Sequence, residues 1–313
     1  LVEPDSSRLV ASPLPIDLDL SVGPLCRGRY DPVTQRRSKG EYVRAIRTDE
    51  GPVTLRFLQR SPTTVHVEAY GPGHRFAIEH CPDFVGANDS LEGFEPSGPI
   101  AELHRRFAGL RMIRSRTLFQ NLLLSVLEQK VHGKDAFMSF RAIVRELGEP
   151  APGPFELWLT PEPALLGTQP SFRMREFGVD AKRSSALQFA ARRAARLEKL
   201  CEGPLEEAHR YLCAMPGIGP WTAAEVLRPT MGDADAVSVG DFHVPNMVAW
   251  HLAGEARADD ARMLELLAPF SGHRGRVVAL LSALGEGAPK FGPKSGLRPF
   301  VAGAIRPFRK GSW

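Results

Sequence analysis

Three stretches carry side chains whose types and spacing could do chemistry. The first is Leu212-Cys213-Ala214-Met215-Pro216-Gly217-Ile218-Gly219-Pro220-Trp221-Thr222-Ala223-Ala224. An amphipathic pattern ends near Ala214, two glycines follow, and a second helical pattern starts at Pro220. A missing N–H costs nothing there, because that donor has no partner inside a helix. Glycine lacks a Cβ and tolerates positive φ, so backbone N–H groups can approach a bulky anion. The helix N-terminus adds about half a positive charge pointing the same way. The turn can therefore clamp a phosphate; taken alone it is equally a plain connection between two helices. The second stretch, Ser238-Val239-Gly240-Asp241-Phe242-His243-Val244-Pro245-Asn246, places Asp241 at the mouth of another helix. A carboxylate there caps the helix, worth about 1 kcal/mol, and can also stabilise a cationic transition state in a water-poor site. The third, Leu127-Glu128-Gln129-Lys130-Val131, ends a nearly all-apolar run that begins at Thr117.

Elsewhere the pattern is poorer. The cysteines at 26, 81, 201 and 213 are never two or three apart, which excludes zinc-finger or iron–sulfur spacing. No catalytic metal or cofactor is expected. Asp233 and Asp235 are rival carboxylates to Asp241, expected to be solvated, and His243 is a hydrogen-bonding candidate beside it. Arg105, Arg106, Arg111, Arg114 and Arg116, and Lys182, Arg183, Arg192, Arg193, Arg196 and Lys199, form basic groups that read as solvated helix faces. Lys182 and Arg183, just inside a helix start, are the pair best placed to meet an anionic partner.

The 313 residues are 43% apolar and 24% charged. This excludes wholesale disorder and collagen and provides for about two domains with a sizeable core. Lys and Arg number 40 against 36 Asp and Glu, net +4, so a nucleic-acid partner must be held by a local basic face. The first twenty residues carry acids and bases and no apolar run, unlike a signal peptide, and no uncharged apolar stretch approaches the ~18 residues of a membrane span. A reduced cytoplasmic protein with no membrane partner is expected, and no protein partner is inferable.

The elements that must position these residues fall into two kinds. Residues 1–40 read as an irregular lead-in ending in the basic run Arg36-Arg37-Ser38-Lys39. Residues 42–48, 53–58, 65–70 and 75–79 alternate apolar with polar and are separated by Gly- and Pro-containing turns, an antiparallel meander. From residue 98 the spacing becomes helical: helices are expected at 99–107, 117–127, 134–147, 180–200, 203–214, 220–228, 241–253, 259–268 and 273–284. No strand is expected among them, and a Pro/Gly-rich connector spans 148–170. The fold class is α+β: a small antiparallel β-rich N-terminal domain (1–97), an all-helical body (98–286) and a basic, extended tail (287–313).

Met215 to Thr222 and Asp241-Phe242-His243 together resemble the helix-hairpin-helix (HhH-GPD) DNA glycosylase superfamily, over about residues 100–285. Its signature is a hairpin with a Gly/Pro-rich loop followed by a catalytic Asp. The β-rich region is similar to the N-terminal domain of the alkylpurine branch. The resemblance implies that Asp241 is catalytic and that Trp221, Glu225 and Phe242 line a base pocket. It further implies that the hairpin residues Met215, Gly217, Ile218, Gly219 and Thr222 bind double-stranded DNA containing damaged bases. Members with a lyase step carry a Lys where this chain has Trp221. An indole cannot attack a sugar as that amine does, and Trp here is similar to the DNA-3-methyladenine glycosylase II group. Glu225 stands where some relatives place an aromatic ring. Leu127 to Val131 is similar to a Leu-Gly-Gln-x-Val segment whose residue after Gln fills the gap left by a flipped base. Gln129 and Lys130 are thereby implied as DNA contacts, with Lys182 as a further one. The family's hairpin often holds a monovalent cation on backbone carbonyls; no other metal and no cofactor is implied. The implied activity is hydrolysis of the N-glycosidic bond of alkylated purines of 3-methyladenine type in base excision repair, without a lyase step. The alternatives are an enzyme of the same scaffold for hypoxanthine, uracil or an oxidised purine, and a non-catalytic damaged-DNA-binding protein.

Overall fold

The computed structural model describes residues 2–289. Most of the basic tail expected at 287–313 lies outside the described residues. The N-terminal unit is a five-stranded antiparallel sheet of β1 (Ser6–Ala11), β2 (Thr34–Ser38), β3 (Glu41–Thr48), β4 (Gly51–Ser61) and β5 (Thr64–Tyr70), in the order β1-β5-β4-β3-β2. Alternation in β3–β5 puts Tyr42, Ile46, Val53, Leu55, Phe57, Val65, Val67 and Ala69 into one core, with pairs such as Tyr42↔Phe57 and Phe57↔Val67 directly opposite. The other face buries Val43 and Ala45 against Leu157 and Leu159. Short helices flank the sheet: α1 (Leu18–Ser21) lies between β1 and β2, and α2 (His74–Glu79) and α3 (Cys81–Val85) follow β5.

Two expectations for this region are corrected. The lead-in is not irregular throughout: it supplies both edge strands. In β1 only Val10 is buried, and β2 is exposed apart from its first two residues, so neither shows the alternation of a half-buried strand. The charged side chains of β2 are also those that discourage edge-to-edge pairing. Residues 75–79 are helical, in α2; five residues with an apolar middle fit half a helix and a strand equally well.

The body contains α4 (Gly98–Arg106), α5 (Leu118–Glu128), α6 (Gly133–Leu147), α7 (Pro163–Gly167), α8 (Ser171–Glu176), α9 (Ala181–Ala191), α10 (Ala194–Lys199), α11 (Leu205–Cys213), α12 (Pro220–Met231), α13 (Val244–Ala253), α14 (Asp260–Leu267) and α15 (Arg274–Ala283). The single helix expected at 180–200 is broken at Arg192–Arg193 into α9 and α10. The connector holds a two-residue ladder, β6 (Glu149–Pro150) with β7 (Trp158–Leu159), where no strand was expected, and also α7. α5 is buried at Leu118 through Leu127, and α12 packs directly along it. Among the described residues no helix is long and apolar enough to cross a membrane.

The helices form two lobes with separate cores. One gathers α5, α6 and α8 through α12 around Leu122, Phe140, Leu187, Leu212 and Leu227. The other gathers α4, α13, α14 and α15 around Ile100, Val248, Met263, Leu267 and Val277. The chain thus visits the second lobe with α4, builds the first, and returns through the 232–243 segment. Buried ion pairs tie the sheet unit to the second lobe: Arg276, 1% exposed, donates to Asp89 at 2.8 and 2.7 Å. Arg111, counted above among solvated charges, is buried and donates to the Pro15 and Ala108 carbonyls. Arg116 donates to Asp83 at 2.8 Å.

Candidate active site

The hairpin forms because α11 must stop and α12 must start within a few residues. Met215 N–H donates to the Leu212 carbonyl, Ile218 N–H to that of Met215, and Ala223 N–H to that of Gly219. Gly217 has φ +80°, and a Cβ there would meet the Ala186 Cβ at 3.0 Å, so both backbone and space call for glycine. Nothing lies within 4 Å of a Cβ built at Gly219, which leaves that side of the turn open. Met215 and Ile218 are 5% and 4% exposed and belong to the first lobe's core. Their side chains anchor the turn, and only their backbone faces outward. The first N–H groups of α12, those of Trp221 and Thr222, have no intrahelical acceptor.

Gln129 clamps this turn from α5. Its amide donates to the Gly217 carbonyl and to the Thr222 hydroxyl, both at 2.9 Å. The Met215 and Gly217 carbonyls each accept one hydrogen bond and keep a second lone pair. Lys130 is exposed and has φ +53°. A left-handed non-glycine conformation costs of order 1–3 kcal/mol and concentrates at functional sites. Lys182 is exposed at the start of α9, whereas its neighbour Arg183 is buried and donates to Asp180 and to the Leu127 and Gly178 carbonyls. Arg183 is a structural strut, not a free cation.

Asp241 stands where the returning chain enters the second lobe. Its Oδ1 accepts the N–H groups of His243 at 2.7 Å and Val244 at 2.9 Å, capping α13. Its Oδ2 accepts the Trp221 indole N–H at 2.9 Å. Gly240, at φ +91°, donates its N–H to both carboxylate oxygens of Asp260 at 3.0 Å. The carboxylate is thus locked by three donors, two from its own helix and one from the other lobe. Phe242 is 82% exposed and its ring meets that of His243 edge-on at 5.0 Å, so it faces solvent. Trp158 lies under Arg145 at 4.9 Å, on the connector.

Glu225, one turn beyond Trp221, accepts the Ser238 hydroxyl and Arg228 (2.7 Å) on the same oxygen. Burial acts to raise its pKa, but Arg228, the Ser238 hydroxyl and Arg27 outweigh it and hold the carboxyl below its usual range. The rival carboxylates sit beside a recess of about 470 Å³ at the far end of α12. Asp235, half-exposed, accepts the Gly272 and Arg274 N–H groups and pairs with the Arg274 guanidinium at 2.5 Å. Burial raises the Asp233 carboxyl. Among the described residues no cluster of three His, Cys, Asp or Glu side chains could hold a metal ion.

Arg27 escaped sequence reasoning. It lies in the loop before β2, organised by the buried Asp31, which accepts the N–H groups of Arg27, Val33 and Thr34. Its guanidinium reaches Glu128 at the end of α5, 3.5 Å away. Nothing local in Cys26-Arg27-Gly28 signals this; the partner is brought in by the packing of sheet against helices.

No protein-family model and no curated protein matches this sequence. Solved structures do match. A 3-methyladenine DNA-glycosylase from Archaeoglobus fulgidus superposes with TM-score 0.76 at 19% identity, over 88% of this chain and 97% of that one. MBOgg1 in complex with a low-affinity DNA ligand gives TM-score 0.70 at 15% identity, over 91% and 98%. The apo form of Clostridium acetobutylicum 8-oxoguanine glycosylase/lyase gives 0.66 at 14%, over 90% and 97%. A small antiparallel sheet, a helical body, a glycine hairpin and a capping aspartate are thus assembled in the helix-hairpin-helix DNA glycosylase fold, and this chain has that fold.

Proposed function

We propose that this chain is a DNA glycosylase of base excision repair that hydrolyses the N-glycosidic bond of alkylated purines of 3-methyladenine type, without a lyase step. The observation that carries this reading is the Asp241 carboxylate, fixed by Trp221 and two backbone donors beside the hairpin. Cleaving a deoxyribose–purine bond builds oxocarbenium character on the sugar. A carboxylate already oriented offsets that charge with no reorganisation at the moment of reaction, and it can orient the water that adds to the sugar. An alkylated purine is already cationic and departs with little acid assistance. Trp221 offers no amine for covalent attack, and its N–H is committed to Asp241.

The target base must leave the duplex to reach Asp241. The open hairpin N–H groups and the α12 N-terminus hold a phosphate beside it, and a monovalent cation on the Met215 and Gly217 carbonyls would add positive charge there. Exposed Lys130 meets the strand at the gap, Lys182 meets the backbone, and exposed Phe242 offers an apolar ring at the rim. The superposed 3-methyladenine DNA-glycosylase and 8-oxoguanine glycosylase/lyase support glycosylase chemistry on this scaffold. The test is base release from duplexes carrying 3-methyladenine, 7-methylguanine, hypoxanthine, uracil or 8-oxoguanine, with borohydride trapping in parallel. Release of methylated purines without a trapped adduct is expected. A trapped adduct contradicts the absence of a lyase step, and binding with no release from any lesion identifies a non-catalytic damage binder.

A further inference from the structure

Glu128, Gln129 and Lys130 are consecutive, and their contacts diverge. Gln129 clamps the hairpin and Lys130 is exposed, while Glu128 meets Arg27 of the N-terminal unit. Together with Glu225 and Arg228 these make a wall of two acids and two arginines, with side chains 16–23% exposed. The wall adjoins the reaction centre. Trp221, Glu225 and Arg228 follow one another at helical spacing on α12. Ser238 donates its hydroxyl to Glu225 and accepts the Asp241 N–H on its carbonyl.

The wall carries unspent hydrogen-bonding capacity. Among the described residues Glu128 accepts no hydrogen bond; its 3.5 Å approach to Arg27 is an ion pair only. Among the described residues the Arg27 Nε is buried with no hydrogen-bond partner, and one oxygen of Glu225 accepts no hydrogen bond. Burial raises the Glu128 carboxyl, Arg27 and Arg228 pull it back, and Glu225 adds to the rise, as befits an acceptor without donors. Native proteins seldom leave a buried donor such as the Arg27 Nε unsatisfied, and the part-exposed carboxylate oxygens beside it can accept from a ligand.

We propose that Arg27, Glu128 and Glu225 read the polar edge of the everted base and favour guanine-type alkylated purines. This rests on the reading above and narrows it: among the alkylated purines that such a glycosylase releases, the preference moves from 3-methyladenine to 7-methylguanine. A guanine presents a carbonyl acceptor next to two donors, the ring N1–H and the exocyclic amine. A guanidinium beside a carboxylate is the complement: Arg27 donates to the carbonyl and Glu128 accepts both donors. 3-Methyladenine presents a single amino group on that edge and leaves one carboxylate oxygen without a donor. An apolar aromatic wall would separate the two weakly; a buried hydrogen-bonding wall separates them strongly.

The experiment compares the wild type, Glu128→Gln and Arg27→Met in single-turnover release of 7-methylguanine and 3-methyladenine from otherwise identical duplexes. The wild type is expected to favour 7-methylguanine, and either substitution to lower the ratio of the two rates about tenfold or more, the scale of one good bidentate contact. Equilibrium dialysis with the free bases reads the same wall without chemistry: the wild type takes up more 7-methylguanine, and Glu128→Gln loses the difference. If bases are released but the ratio stays unchanged in both folded variants, the pocket assignment fails and the Asp241 chemistry survives. If the wild type releases neither base yet dialysis shows the preference, the glycosylase reading fails and the wall stands. Equal uptake of the two bases by the wild type overturns the proposal outright.

Discussion

The Trp221 indole N–H donates to Asp241 Oδ2 at 2.9 Å, and this bond joins the two helical lobes. Trp221 opens α12 of the first lobe, and Asp241 caps α13 of the second. The carboxylate is therefore positioned by lobe packing as well as by its own helix. Trp221→Phe keeps a ring and removes the donor. A hydrogen bond to a charged group is worth about 1.5–3 kcal/mol, so base release is expected to fall about tenfold with the far-ultraviolet spectrum unchanged. An unchanged rate assigns Trp221 to packing alone.

Gln129 bridges α5 to the hairpin through two 2.9 Å hydrogen bonds. Gln129→Ala removes both and leaves the Thr222 hydroxyl without that partner. Stability should drop by about 1–2 kcal/mol, and duplex affinity should fall several-fold because the phosphate clamp loosens. Melting curves and binding isotherms check the two effects separately; intact affinity would mean that the turn holds its shape unaided.

Glu198 accepts the N–H groups of Leu118 and Phe119 at 2.9 and 2.8 Å, capping α5 from α10. Burial nonetheless pushes its carboxyl up to about 7. The folded state then holds this proton more tightly than the unfolded chain. The associated stability is full below the unfolded value near 4.5 and is lost as pH rises through about 7, on the order of 3 kcal/mol in all. Glu198→Gln keeps an acceptor and cannot ionise. Denaturant melts at pH 5 and pH 8 should show the variant gaining on the wild type at the higher pH; a constant difference would rule out this titration.

Arg276 and Asp89 are an ion pair buried between the sheet unit and the second lobe. Arg276→Met leaves the Asp89 charge with Arg111 alone, 3.9 Å away, and should cost about 3 kcal/mol, the low end for breaking a buried pair. Adding Asp89→Leu should restore part of the loss, since the desolvated charge then disappears. Urea unfolding of the two single variants and the double variant gives the coupling; additive losses would mean that the pair contributes little.

What was legible in the sequence follows from how local each signal is. Val65 to Tyr70 alternates within one strand, and Leu118 to Leu127 is nearly all apolar, so β5 and α5 are readable directly. The hairpin is readable as a glycine turn between two helical patterns, and Asp241 is singled out only through the family resemblance that the two stretches carry together. β1 is not, because it buries only Val10 and owes its place to pairing with β5. Nor is the split of the helical body, since α4 joins helices far downstream. Arg27 and Glu128 meet only when the sheet unit docks against α5, and Arg111, which looks like a solvated charge, is buried for the same reason.

The account turns on one carboxylate beneath the everted nucleotide. Asp241→Asn keeps an oxygen to cap α13 and removes the negative charge. Single-turnover release from a duplex carrying a methylated purine should fall by roughly 10²-fold or more, with duplex binding retained. Release at the wild-type rate would contradict it.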